Sequence, residues 1–158
     1  MILECFYCFI ISVCFSVIFN VRGRDVFYGG LGSGIGWAFY LACYRRFGSV
    51  VGSYFMATIV TTLYSEVLAI YRRKPATIFL IPSIIPFVPG GLVFRAMGAW
   101  LSGDQDTLLL QGRYAITVAC SIAMGIIMGV TITRIHRNYM RLIRSKVKKG
   151  KANENSSH

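Results

Sequence analysis

Acidic and imidazole side chains are scarce in this chain. Of 158 residues, only six are Asp or Glu and two are His. Outside the pair Asp104 and Asp106, no two carboxylates stand close in sequence, and that pair reads as a solvated loop. No Ser/His/Asp set and no paired carboxylates within an apolar segment can be assembled, so no enzymatic constellation is expected. A zinc site built on Cys5-x-x-Cys8 would need two further ligands at suitable spacing. The only histidines are His136 and the terminal His158. The five cysteines all fall in apolar stretches and read as buried membrane thiols. Glycines are plentiful, but none forms Gly-x-Gly-x-x-Gly, and no Gly-Lys-Ser/Thr follows. The sequence therefore implies no metal, no nucleotide and no other cofactor. The N-terminus has no basic segment before its apolar run, carries Glu4 and lacks a small-x-small cleavage site, so the first run is expected to remain as a span.

What the chain has instead is apolar length. Residues 5–21, 26–44 and 114–133 contain no charged side chain, 47–71 contains only Glu66, and 76–101 contains only Arg95. Each run is about as long as a helix needs to cross the hydrocarbon core. The reading is an all-α, polytopic helical membrane protein of about five transmembrane helices. It divides into a membrane domain over 1–136 and a basic, partly disordered cytoplasmic tail over 137–158.

The net charge of +11 is not a nucleic-acid signal, because eight of the seventeen basic residues lie beyond residue 133 and no nucleic-acid motif accompanies them. Basic residues in short connections set topology, and a basic tail favours anionic lipid. With five crossings and the tail inside, the connections holding Arg22, Arg24, Arg72, Arg73 and Lys74 also face the cytoplasm. Arg45, Arg46 and Arg113 then lie outside. If the fourth stretch did not cross, the bias would reverse. Five crossings, N-terminus out and C-terminus in, are expected.

The second stretch opens Gly29-Gly30-Leu31-Gly32-Ser33-Gly34-Ile35-Gly36. Gly32 and Gly36, like Gly125 and Gly129 in the fifth stretch, have the four-residue spacing that lets helices approach backbone to backbone. A glycine-lined path for a small solute is the other reading of the same face. Thr58, Thr62, Ser65 and Glu66 form a polar stripe on the third stretch.

The fourth stretch is interrupted by Pro82, Pro86, Pro89, Gly90 and Gly91. Each proline removes a backbone donor, and freed carbonyls in hydrocarbon need protein or water. Broken helices of this kind form substrate and ion sites in transporters. Pro86, Pro89, Gly90, Gly91, Arg95, Glu66 and Asn20 are therefore the candidate path-lining residues. A straight-helix estimate puts Glu66 and Arg95 more than about 10 Å apart in height, so they are not expected to pair.

Phe19-Asn20-Val21, the glycine-rich second stretch, Pro75-Ala-Thr-Ile-Phe, Ile84-Ile85-Pro86-Phe87-Val88-Pro89-Gly90, Arg95-Ala-Met and Ser102-Gly103-Asp104 occur in that order. In this the chain resembles the small subunit of the threonine/serine exporter family, over about residues 5–136. It departs from the family pattern at Arg22, where proline is common, and at Phe94, near the place of a common tyrosine. The resemblance implies a bacterial cytoplasmic-membrane exporter of threonine and serine, or of succinate in related pairs, working with a larger membrane subunit. A homo-oligomer, and a membrane subunit that stabilises a partner without transporting, are the other arrangements considered.

Overall fold

The computed structural model describes residues 2–155, with side chains as far as Tyr139. The side chains of residues 140–155 and the last three residues of the basic tail lie outside that description. Six α-helices follow one another: α1 (Ile2–Ile18), α2 (Asp25–Phe47), α3 (Val50–Arg72), α4 (Thr77–Ile84), α5 (Gly90–Leu101) and α6 (Gln105–Asn155). A single 3-10 turn, Ile85–Phe87, separates α4 from α5. The architecture is all-α and polytopic. α2, α3 and α6 are each long and apolar enough to cross a membrane. The α4/3-10 segment and α5 together make a fourth candidate, bent by 47°. α1 has 17 residues, about 25 Å of helix, which is short of a full span. α6 passes through the expected domain boundary at 136/137 without a break.

Left-handed residues end the first three helices: Asn20, Gly48 and Arg73. Asn20 closes α1 at φ 57°, with Val21 N–H donating to the Ser16 carbonyl at 2.9 Å. Asn tolerates that conformation better than most side chains. Gly48 (φ 67°) closes α2, and Ser49 then caps α3 by accepting from Gly52 N–H at 3.3 Å. The turn between these long helices is therefore only two residues, and it forces them antiparallel.

α2 lies centrally, against α1, α3 and α4, while α3 also carries α6. The contacts have few large apolar side chains. Instead, hydroxyl residues seat in glycine notches. A Cβ on Gly36 would stand 2.1 Å from Thr61 Oγ1, one on Gly32 2.6 Å from Ser83 Oγ, one on Gly125 2.0 Å from Thr58 Oγ1, and one on Gly129 2.7 Å from Thr62 Cβ. Thr58, Thr61, Thr62 and Ser65 donate to carbonyls one turn back in α3, at 2.7–2.9 Å. The polar stripe is thus hydrogen-bonded to its own helix and packed against glycine, an arrangement suited to lipid, where close backbone approach replaces hydrophobic drive.

Ser121 Oγ donates to the Val51 carbonyl at 2.7 Å, which sets α6 in register with the first turn of α3. From there α6 continues toward its N-terminus, from Ser121 to Gln105, for roughly 24 Å at 1.5 Å per residue. In that region it packs on α5. The α5/α6 hairpin therefore projects past the end of the α2/α3 pair.

Candidate functional site

The broken segment begins with α4 firmly held. Pro82 lies inside α4 and is buried, and Ser83 Oγ donates to the Phe79 carbonyl at 2.7 Å and to the Gly29 carbonyl at 2.9 Å. Phe87 ends the 3-10 turn fully buried, 5.8 Å from the Trp37 ring and 6.3 Å from that of Tyr54. Tyr40 joins this aromatic group, 5.0 Å from Trp37 and 4.6 Å from Tyr54. The chain then turns out of the bundle. Val88 is extended (φ −61°, ψ 128°), Pro89 precedes α5, and Gly90 N–H donates to the Val88 carbonyl at 2.7 Å. Pro82 is accommodated within a helix, whereas the change of direction falls at Val88 and Pro89. A buried aromatic anchor on one side and exposed Gly90 and Gly91 on the other define the break.

One turn beyond it, Arg95 is exposed. Among the described residues it makes no ion pair, and its guanidinium has no hydrogen-bond partner. It lines an open crevice of about 320 Å³ with Leu92 from α5 and Leu110, Gln111 and Tyr114 from α6. Gln111 and Tyr114 also lack a side-chain hydrogen bond to any described residue. Sequence reasoning missed both. Their only signal is position, since they fall at the N-terminal boundary of the charge-free run 114–133, and only the α5/α6 pairing brings them to Arg95.

Glu66 and Asn20 lie elsewhere. Glu66 is nearly buried, with Arg137 Nη2 3.7 Å from its Oε2, so α6 and not α5 supplies the cation it faces. Asn20 is the exposed terminator of α1. Both are toward the end of the bundle that holds Asp25 and Arg72, opposite the α5/α6 hairpin. The structure therefore groups Pro86, Pro89, Gly90, Gly91 and Arg95 at one end and sets Glu66 and Asn20 at the other.

The glycines divide in the same way. Gly29, Gly30, Gly32, Gly36, Gly125 and Gly129 each have a neighbour within 3.1 Å of a Cβ position. Gly90, Gly91, Gly98 and Gly112, all in α5 or the facing part of α6, have nothing within 4 Å.

These features define a polytopic helical membrane protein with a broken helix that carries an exposed arginine which no described residue neutralises. The sequence profile of the threonine/serine exporter family (ThrE) matches residues 4–132, and the chain belongs to that family. No curated protein sequence and no solved structure matches it. Family membership places it among exporter-type transport proteins.

Proposed function

We propose that this chain is one subunit of a secondary exporter of small carboxylate-bearing metabolites, threonine and serine or succinate, acting with a larger membrane subunit. The observation that carries the reading is Arg95. It is a guanidinium on a broken helix, in a crevice, with no counter-charge from the described residues. A guanidinium left without a counter-charge is available to an anionic ligand, and its planar fork suits a carboxylate. No nucleotide motif is present, so an ion or substrate gradient drives transport. Pro86, Pro89, Gly90 and Gly91 open the path on the side of Arg95, and Glu66 and Asn20 lie toward its other mouth.

The larger subunit is supported by the glycine contrast. Glycine inside a helix is about 1 kcal/mol less favourable than alanine, and in the bundle each close-packed glycine returns that through backbone approach. Gly91 and Gly98, which share a face of α5 with Arg95, have no such neighbour among the described residues, as expected of a face that a partner helix covers. The hydroxyl stripe of α3 is occupied by packing, which also favours a path at the partner interface over one through the α1–α4 bundle. The membrane is proposed to be the bacterial cytoplasmic membrane, with the basic tail inside on anionic lipid and the 104–106 loop outside. Single-cysteine labelling in a cysteine-free background is expected to mark the 72–74 and 104–106 connections from opposite sides.

The test is efflux from vesicles holding both subunits. Arg95→Gln should reduce export of threonine, serine or succinate with the complex still assembled, and Arg95→Lys should fall between. Wild-type export and preference in Arg95→Gln would make Arg95 an interfacial anchor. Efflux by the larger subunit alone at the rate of the pair would instead favour the second reading, a stabilising subunit that transports nothing itself.

A further inference from the structure

We infer that Gln111 and Tyr114 are specificity-determining residues that, with Arg95, form a carboxylate subsite at the outer mouth of the path. This inference rests on the exporter reading and adds to it the side chains, their chemistry and their place in the membrane.

The geometry supports three points. First, the crevice is of a size suited to a small ligand, about 320 Å³, at the low end for ligand sites. Second, its polar members come from two helices and are all unengaged. Arg95 offers a charged fork, Gln111 an amide that both donates and accepts, and Tyr114 a phenol O–H. Elsewhere in the bundle the buried hydroxyls are engaged: Ser12 and Ser83 both donate to the Gly29 carbonyl, and Tyr64 donates to the Tyr28 carbonyl at 3.1 Å. Exposed cations such as Arg22, Arg24 and Arg46 are also without an ion pair among the described residues, so what marks the crevice is the convergence of three polar side chains from two helices. Third, Leu92 and Leu110 supply apolar walls, which lower the local dielectric and strengthen any charge–charge contact. Gln111 and Tyr114 lie one turn apart or less on α6, so one carboxylate seated on Arg95 can reach both.

The site is open on one side. That side is continuous with the glycine-lined face of α5, where the proposed partner subunit would close it. A second copy of this chain is a poor occupant, because self-pairing would set Arg95 and Arg113 against like charges. The anion could be a solute carboxylate or a lipid phosphate, and the experiment separates them.

Place the single cysteine Gln111→Cys in a cysteine-free version of the full chain, together with its partner subunit in membranes. Measure the maleimide labelling rate with threonine, succinate or threonine amide as probe. At a probe concentration about ten times its Kd, labelling should slow about tenfold for a carboxylate that binds, and not for the amide. Separately, Gln111→Leu and Tyr114→Phe should each raise the half-saturating concentration for export about tenfold, with maximal rate less affected. Labelling unaffected by any solute, or responsive only to the anionic lipid content of the vesicle, overturns the subsite. Solute protection in a complex that exports nothing supports the subsite and refutes the exporter reading. Export with no protection, and with Gln111→Leu and Tyr114→Phe behaving as wild type, does the reverse.

Discussion

Asp25 and Arg72 meet at 2.9 Å, joining the first turn of α2 to the last turn of α3. Asp25 is the most deeply buried charge among the described residues, with 1 % of its side chain exposed. Lys74 Nζ donates to its other carboxylate oxygen, and the Arg72 guanidinium lies 5.4 Å from the Tyr28 ring centroid. The pairing follows helix polarity, since an acid suits a helix N-terminus and a base a C-terminus. Removing the acid leaves two cations facing each other, both only partly exposed. Asp25→Ala is expected to destabilise the folded chain by about 1–3 kcal/mol, as for a hydrogen-bonded charge left unpaired. A lowered midpoint of thermal aggregation in detergent would register it. An unchanged midpoint would mean that water replaces the carboxylate at no cost.

The seating of Thr61 in the Gly36 notch gives a reciprocal prediction. A Cβ on Gly36 would fall 2.1 Å from Thr61 Oγ1, a distance that no rotation of Thr61 relieves while it donates to the Ala57 carbonyl. Gly36→Ala should therefore lower stability by about 1–3 kcal/mol, the range for overpacking a well-filled contact. Adding Thr61→Ala should recover the share of that loss due to the hydroxyl, while the buried Phe87 ring, 2.9 Å from the Cβ position, keeps the rest. Gly125→Ala should be rescued far less by Thr58→Ala, because the Phe55 carbonyl, 2.8 Å from the Cβ position, stays in place. Gly98→Ala, which meets nothing among the described residues, should be neutral or stabilising in the isolated subunit and should weaken only the assembled complex. Thermal midpoints with and without the partner separate the two effects.

Periodicity and composition made the membrane class and the broken fourth stretch legible, because lipid demands uninterrupted apolar length and proline has a fixed backbone effect. The four-residue glycine spacing pointed at the packed faces of α2 and α6. The site was only half legible. Arg95 stands out as the one charge in its run, but Gln111 and Tyr114 are ordinary residues until α5 folds back on α6. Asp25 follows Arg22 and Arg24 in the sequence, and nothing local singles it out. Its partners, Arg72 and Lys74, come from another connection, and no local pattern announces a contact between distant segments. Likewise Pro82 read as a break, although Ser83 and the Gly29 carbonyl hold that turn helical.

Asp104 caps α6 at the tip of the hairpin, its Oδ1 accepting from Thr107 N–H at 3.1 Å. Hydrogen bonds from the Thr107 side chain and then its backbone hold the Asp104 carboxyl below the ordinary aspartate range. A carboxylate with a depressed folded pKa contributes stability that is present above its unfolded value, near 3.9, and is lost as pH falls through the lower folded value. The protection factors of the first amides of α6, with exchange referred to the unfolded rate at each pH, should thus be constant from neutral pH down to about pH 5 and fall only below about pH 4. Asp104→Ala should abolish this acid dependence and expose those amides at neutral pH. Asp104→Asn, which still caps, should retain protection without the pH response.

Glu66 and Arg137 provide the last test, because a structural pair and a path-lining carboxylate predict different couplings. Their closest atoms are 3.7 Å apart, with 8 % of the Glu66 side chain and 42 % of that of Arg137 exposed. Partial solvation places their coupling at about 1 kcal/mol, between the few tenths typical of exposed pairs and the larger values of buried ones. A double-mutant cycle of Glu66→Gln and Arg137→Gln should return that coupling in thermal stability. Export should not follow the same cycle. If Glu66 lines the inner mouth, Glu66→Gln reduces efflux per folded complex well below Arg137→Gln, and the double variant behaves as Glu66→Gln does. Equal efflux in the three variants, once corrected for folded protein, would confine Glu66 to holding α6 against α3 and leave the α5/α6 crevice as the sole candidate for solute contact.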